Sequence, residues 1–399
     1  MPWLRSTAAA AAMLIAATAV ASAQSRSADK KDEGSRTSAP QAILIEADSG
    51  SVLFERNADE PVRPASLAKL MTAEYVFNEI KQGRLKLDDE FTISEDAWRR
   101  GGAPSRTSSM FAAVHSKVRV EDLLRSVIIQ SGNDASIALA EGIAGNERTF
   151  AERMTKRANE LGLTKSRFMN ATGLPDPDQR VTVRELAKLA QHVIQTYPVL
   201  YKMYGEREFT WNKIRQYNRN PLIPMSIGAD GLKTGYLKDA GYGLVGSAVH
   251  SGLRLIVVIT GLKSANERAA EGRKLLEWGF RSFQSRMLFA EGQTIAEAKV
   301  YGGAMGRVPL VPAKAVRIML PRNTNDKIIA RVVYTGPVPA PVRAGQPIGR
   351  LKVWRNDAVT LEAPLQAGAD VEAGNLSQRA FDAATELVIT VFRAGADRL

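Results

Sequence analysis

Between Leu67 and Ile80 the apolar positions Leu67, Leu70, Met71, Tyr75, Phe77 and Ile80 return near helical spacing, and Gly83 follows as a stop. The spacing predicts a largely buried helix whose first turn holds Ser66. Upstream, Ile43-Leu44-Ile45 and Val52-Leu53-Phe54 flank Asp48-Ser49-Gly50, the pattern of two strands and a turn. Downstream, helices are expected near Val120–Ile129, Ala135–Ile143, Arg148–Leu161 and Val183–Gln195. Strand patterns follow at Gly231–Tyr236, Gly243–Val249 and Arg254–Thr260, then a closing helix near Asn266–Trp278. Strands, many helices, strands and a helix predict an α+β domain over 42–282 whose sheet joins both ends of the segment.

The two ends of the chain read differently. One basic residue, Arg5, precedes an apolar run from Ala8 to Val20, and Ala21-Ser22-Ala23 follows. This is the pattern of a secretory signal peptide, with cleavage expected after Ala23. The run is short for a membrane span, which needs about 20 residues; an uncleaved anchor is the alternative. Residues 24–41 are polar, mixed in charge and free of aromatics, as a flexible leader would be. Over 283–375 short β-rich runs, such as Val316–Met319, Ile328–Tyr334 and Ile348–Trp354, alternate with Pro and Gly and predict a small all-β domain. In 376–399, Leu376, Ala380, Phe381, Ala384, Leu387, Val388, Val391 and Phe392 fall on one helical stripe. That stripe suits a terminal helix packed on its own domain or one lying in a membrane interface.

Composition narrows the chemistry. There is no cysteine, which excludes a thiol nucleophile and a Cys-based zinc site. The three histidines, His115, His192 and His250, lack a metal-ligand spacing and a nucleophile motif nearby, so no metal or other cofactor is expected. A reaction that works without histidine gains weight. The formal charge of +12 comes from scattered basic residues. It favours anionic surfaces in general and argues against nucleic acid as a partner.

Three short motifs occur in order: Ser66-Leu67-Ala68-Lys69, Ser131-Gly132-Asn133 and Lys233-Thr234-Gly235. Each is weak alone. Ser27 to Lys30 also fits the first pattern, and Ser264 to Asn266 fits Ser-x-Asn. Their strength lies in the ordered set and in its placement: a helix start, a helix–helix junction and a strand. Ser and Lys three apart share one helix face. A serine hydroxyl needs an adjacent base, and a lysine can serve only if burial or a nearby cation destabilises its ammonium. The apolar helix supplies burial, and Lys233 is expected to supply the cation. Ser131 can relay a proton, and Asn133 can fix a lysine or a substrate carbonyl. Lys233 and Thr234 suit an anionic substrate group, and Gly235 lets substrate backbone lie against the strand edge. The Ser66 backbone N–H is the natural first donor of an oxyanion hole.

S-x-x-K, S-D-N and K-T-G are the signature set of class A β-lactamases and penicillin-binding proteins, and the second motif here is Ser131-Gly132-Asn133. The chain resembles the low-molecular-mass penicillin-binding proteins that act as serine D-alanyl-D-alanine carboxypeptidases. The resemblance extends to Asn170-Ala171-Thr172-Gly173-Leu174-Pro175, Asn218-Arg219-Asn220, Ala240-Gly241-Tyr242 and Lys274–Phe280. It implies a β-lactamase/transpeptidase-like peptidase domain with helices packed on an antiparallel sheet, then a small all-β domain and a C-terminal amphipathic membrane-anchoring helix. It makes Ser66 the nucleophile, Lys69 its base, and Ser131 and Asn133 the second catalytic element. Lys233, Thr234 and Gly235 become the substrate-binding strand, with Arg219 helping to hold the substrate carboxylate and the Tyr236 backbone N–H as second oxyanion donor. The implied partners are peptidoglycan stem peptides ending in D-Ala-D-Ala, β-lactams as covalent inhibitors and the membrane surface. The implied location is the periplasm, on the outer face of the inner membrane. A class A β-lactamase shares the motifs, but no Glu-x-x-Leu-Asn-like segment lies between Asn133 and Lys233. A DD-endopeptidase on cross-links and a non-catalytic wall-binding scaffold are the remaining alternatives.

Overall fold

Alternate residues of the strand Gln41–Glu46 (β1) enter two different cores: Ile43 and Ile45 one, Ala42 and Leu44 the other. A sheet buried on both faces explains why its strands read as nearly unbroken apolar runs. The computed structural model describes residues 36–384 other than 323, 325, 357 and 381. The signal-type segment 1–23 and the apolar positions from Leu387 onward lie outside the described residues. Two compact units divide between Arg281 and Ser282.

In the first unit, β1 is joined by Val52–Arg56 (β2), Ala229–Leu237 (β3), Gly241–His250 (β4) and Leu253–Leu262 (β5), in the spatial order β2-β1-β5-β4-β3. Every pairing is antiparallel, with Gln41 opposite Thr260 and Lys233 opposite Val245. The turn after β1 is closed by Glu46, whose carboxylate accepts from the Asp48 and Ser49 N–H groups, each at 2.7 Å. The final helix, Ala265–Ser282, packs Leu275 and Leu276 against Leu44, Leu244 and Leu255 on one face. The other helices gather against the opposite face, where Ile256 and Val258 of β5 meet them. The Lys233-Thr234-Gly235 strand β3 therefore forms one edge of the sheet.

The helices between β2 and β3 include Lys69–Lys81 (α1), Asn133–Ala144 (α2), Glu147–Glu160 (α3) and Val183–Thr196 (α4); the closing helix Ala265–Ser282 is α5. Leu70, Met71 and Phe77 of α1 are fully buried. Truncating such a residue to alanine costs about 2–5 kcal/mol. Asn146 caps α3 by accepting from the Thr149 N–H at 2.8 Å, and Thr182 caps α4 by accepting from the Glu185 N–H at 3.1 Å.

Several boundaries differ from the sequence reading. Packing begins at Thr37 and Ala39, both fully buried, so the last residues of the expected leader already belong to the fold. They are held because Arg56 Nη1 donates to their carbonyls, at 2.7 Å for Thr37 and 3.2 Å for Ala39. Ser66 lies in a 3-10 turn, Ala65–Ala68, that leads into α1. The helix expected over 120–129 is regular only to Arg125, then widens into a π-turn, Ser126–Gln130, ending at Ser131 in the left-handed region with φ 68°. Periodicity could not reveal that widening, because the apolar residues stay in phase with the core.

The second unit holds the strands Phe283–Phe289 (β6), Ala296–Tyr301 (β7), Arg307–Pro312 (β8), Val316–Pro321 (β9), Ile328–Tyr334 (β10), Val338–Pro339 (β11), Pro347–Arg355 (β12) and Ala358–Ala367 (β13). Six form a sheet in the order β10-β12-β13-β8-β7-β11, and β6 pairs with β9. Val300, Val308, Leu310, Leu351, Val353 and Leu365 build its own core. Residues 376–380 and 382–384 are helical. The expected amphipathic stripe is thus described only at its start, where Leu376 is 82% exposed.

Candidate active site

The turn Ala65–Ala68 is fixed from two sides. Gly173, at φ +79°, brings its backbone so near that a Cβ there would stand 1.9 Å from the Ala65 carbonyl oxygen. Gly235 of β3 presses on the same turn, and a Cβ there would lie 3.1 Å from both Leu67 Cγ and the Pro64 carbonyl oxygen. Two glycines, one in each flanking segment, therefore set the position of Ser66.

One turn on, Lys69 is wholly buried. Its Nζ lies 3.3 Å from Ser66 Oγ and 2.7 Å from Asn133 Oδ1, and also contacts the Thr172 carbonyl oxygen. Burial, and then the charge of Arg219, push its pKa down to about 7, against the opposing pull of Glu147 and Asp134. The sequence reading assigned the depressing cation to Lys233; Arg219 adds to burial at Lys69, and Lys69 and Lys233 also repel one another. Lys233 is itself buried, and its pKa falls well below the ordinary lysine value through burial, then repulsion from Lys69, Arg219 and Arg268. Its Nζ donates to the Thr234 carbonyl at 3.0 Å.

The Ser131–Asn133 element is built by a buried acid. Asp134 accepts from Ser109 Oγ at 2.6 Å and from the Met110 N–H at 3.0 Å, which draws the 108–112 loop onto α2. The Asn133 N–H then donates to the Ser108 carbonyl at 2.7 Å, and Asn133 Nδ2 to Thr107 Oγ1 at 2.9 Å. With its amide nitrogen so engaged, Asn133 presents its oxygen to Lys69. Ser131 Oγ is buried with no hydrogen-bond partner among the described residues. A buried hydroxyl without a partner costs free energy, and a catalytic role is one explanation for such an exception. Arg219 Nη1 donates to Ser108 Oγ at 2.6 Å, and its backbone N–H to the Ile129 carbonyl at 3.1 Å.

Thr234 is buried, whereas Tyr236 is 51% exposed. The Tyr236 ring stacks on that of its cross-strand partner Tyr242, with centroids 4.2 Å apart. Among the described residues no group of three or more His, Cys, Asp or Glu side chains could hold a metal ion.

Sequence reasoning missed four contributors: the Thr172 carbonyl, Asp134, Glu147 and Arg268. The first had a readable signal. Asn170-Ala171-Thr172-Gly173 is a loop signature in which Asn bonds its own downstream backbone. Here Asn170 Oδ1 accepts from the Gly173 N–H at 2.7 Å and the Thr172 N–H at 3.2 Å. The others act through tertiary hydrogen bonds or charge, which no spacing rule reveals.

Residues 25–264 match the family profile described as D-alanyl-D-alanine carboxypeptidase. Residues 283–373 match that of the penicillin-binding protein 5 C-terminal domain. The chain is 40% identical to the D-alanyl-D-alanine carboxypeptidase DacC of Escherichia coli K12, covering 85% of this chain and 86% of that one. It is 38% identical to DacA of Haemophilus influenzae, over 88% of each chain. Among solved structures, penicillin-binding protein 5 of Haemophilus influenzae superposes with a TM-score of 0.76 at 38% identity, covering 84% of this chain and 98% of that one. Penicillin-binding protein D2 of Listeria monocytogenes, solved in its ampicillin-bound form, gives a TM-score of 0.55 at 29% identity, over 61% of this chain and 98% of that one. Similarity that runs through both units, with the profile alone taking in more than half of the chain, makes this protein a member of the D-alanyl-D-alanine carboxypeptidase family.

Proposed function

We propose that the protein is a serine D-alanyl-D-alanine carboxypeptidase that removes the terminal D-Ala from peptidoglycan pentapeptide stems through an acyl-Ser66 intermediate. The observation that carries this reading is the seat of the Lys69 amine, buried 3.3 Å from Ser66 Oγ with its pKa brought down to about 7. A neutral amine has two N–H groups and one lone pair. The Asn133 and Thr172 oxygens accept the two N–H groups, which leaves the lone pair for the Ser66 proton.

Ser66 Oγ attacks the carbonyl carbon of the penultimate D-Ala while its proton passes to Lys69 Nζ. The backbone N–H groups of Ser66 and Tyr236 stabilise the oxyanion. Collapse breaks the peptide C–N bond, and the proton moves from Lys69 by way of the Ser131 hydroxyl to the leaving amine. Free D-Ala departs, and water hydrolyses the Ser66 ester. Lys233, Thr234 and Arg219 hold the terminal carboxylate, and that anion stabilises the charge on Lys233 that burial disfavours. Gly235 lets the peptide lie against β3. Ser66 opens a β-lactam ring in the same way, a reading supported by the ampicillin-bound Listeria relative.

The location follows from the chain ends. Residues 1–23 act as a signal peptide for export to the periplasm, those before Thr37 as a leader, 37–281 as the catalytic domain and 283–375 as the β-rich domain. Residues 376–399 act as an amphipathic anchor on the outer face of the inner membrane. No helix among the described residues is long and apolar enough to cross a membrane.

The decisive experiment is mass spectrometry of a pentapeptide incubated with the purified mature protein. Loss of one D-Ala is expected. Cleavage confined to a cross-linked dimer would instead make the protein an endopeptidase.

A further inference from the structure

Lys69 is oriented by a backbone carbonyl, and a backbone carbonyl is only as fixed as its loop. The loop 170–174 touches α1 twice: Thr172 accepts from Lys69 Nζ, and Ala171 accepts from Thr72 Oγ1 at 2.7 Å. Gln179 ties the loop's two ends, and a further tie comes from another element. Glu147, the first residue of α3, takes the Ala171 N–H on Oε1 at 3.0 Å. Its Oε2 accepts from Arg100 Nη2 at 2.8 Å, and Arg100 Nη1 donates to Asp96 Oδ2 at 2.8 Å. Only 10% of the Glu147 side chain is exposed. A charge-assisted bond to a backbone N–H is stronger than a neutral one, and a carboxylate fixed on its far side by arginine cannot turn away.

We propose that Glu147 is a positioning residue for acylation: clamped by Arg100, it holds the Ala171–Thr172 peptide and so the carbonyl on which the Lys69 amine sits. This deepens the assignment of Ser66 as nucleophile and Lys69 as base, and rests on it. Glu147 touches no reacting atom. It acts in two ways, by fixing the loop and by placing a negative charge that favours protonated Lys69. The other charged groups that bear on Lys69 are Arg219, Lys233 and Asp134. Without the Glu147 charge, the Lys69 amine loses its proton at lower pH.

The test is the acylation rate constant with a fluorescent penicillin across pH, for the wild type, Glu147→Ala and Glu147→Gln. Glu147→Ala is expected to lower the high-pH plateau by about tenfold, a barrier change of roughly 1.4 kcal/mol, and to move the acid limb to lower pH. Glu147→Gln keeps an oxygen for the Ala171 N–H, so it should recover most of the plateau while keeping the displaced limb. A general loss of folding would not separate the two effects, and thermal melts of both variants register it. A Glu147→Ala plateau and limb equal to the wild type would overturn the inference, as would a Glu147→Gln limb that does not move. Labelling of Ser66→Ala is the independent arm. Penicillin attached to that variant would defeat the underlying assignment, whereas a silent Ser66→Ala with an indifferent Glu147→Ala defeats only the role of Glu147.

Discussion

The Nζ of Lys69 stands 3.3 Å from the Oγ of Ser66, on the same face of the same helical start. Removing either end of this pair should stop acylation by a different route. Ser66→Ala removes the attacking atom and should abolish penicillin labelling and peptide cleavage with the fold retained. Lys69→Arg keeps a positive charge that cannot be lost. It should reduce acylation by at least about a thousandfold, toward the upper range for loss of a general base. Stopped-flow acylation and intact-protein mass spectrometry check both; brisk turnover by Lys69→Arg would exclude Lys69 as the base.

The pH profile follows from the same amine. Its active form is deprotonated, so the rate should be full above about pH 7 and fall roughly tenfold per unit below it. Arg219 lowers the Lys69 pKa, so Arg219→Gln should raise it and move the limb to higher pH. The same variant should raise KM if Arg219 helps to hold the substrate carboxylate as proposed. A limb that stays in place while KM rises would confine Arg219 to substrate binding.

Gly173→Ala offers a purely steric test. The added Cβ would overlap the Ala65 carbonyl oxygen at 1.9 Å, and φ +79° strains any L residue. The turn bearing Ser66 must move. Acylation should fall by at least about tenfold, the scale expected when a reacting group is misplaced, and the melting temperature should drop as well. Normal acylation by a stable Gly173→Ala would show that this contact does not set Ser66.

Glu74, on the same helix as Lys69, is fully buried. It accepts from Arg157 Nη2 and Tyr197 Oη, both at 3.0 Å, and faces His192 Nε2 at 3.2 Å. Burial alone would raise its pKa, but the hydrogen bonds from His192 and Arg157, with the Arg157 charge, hold it below the ordinary carboxylate value. A folded pKa below the unfolded one gives stability that is present above the unfolded value and lost as pH falls through the folded value. Glu74→Ala should cost about 3–5 kcal/mol, as breaking a buried pair does, and should flatten the acid side of the stability curve. Denaturant melts at two pH values measure both effects.

For the C-terminal segment, truncation after Asn375 should give a soluble enzyme that still cleaves small peptides. The full-length protein should leave membranes in detergent and stay through high salt, because apolar burial dominates interfacial helices. Release by salt alone would point to electrostatic attachment.

The sequence carried the parts of the site that sit on regular elements. The closeness of Ser66 and Lys69 was legible because helix spacing stacks them, and the strand at Lys233 to Gly235 because an apolar run marks β3. The order of strands and helices gave the α+β class. The π-turn before Ser131 was hidden, since Val127, Ile128 and Ile129 remain apolar in either geometry. The seat of Lys69 was hidden for another reason. It depends on a carbonyl at Thr172 and a carboxylate at Glu147, which come within reach only through tertiary packing. Lys233 was named as depressing cation from its motif; the added part of Arg219, which donates to Ser108 Oγ, was not legible because no motif places it near Lys69.

The position of β3 at the border of its sheet has a consequence for what the enzyme can distinguish. A border strand has a neighbour strand on one side only, which makes its outward edge the place where a second chain can add. A stem peptide laid along it is read through its own main chain, as an added strand would be. Main-chain pairing is indifferent to most side chains but strict about chirality and direction. Tolerance toward the upstream stem residues and intolerance toward an L-configured terminus would then have one origin, the geometry of an unfinished sheet.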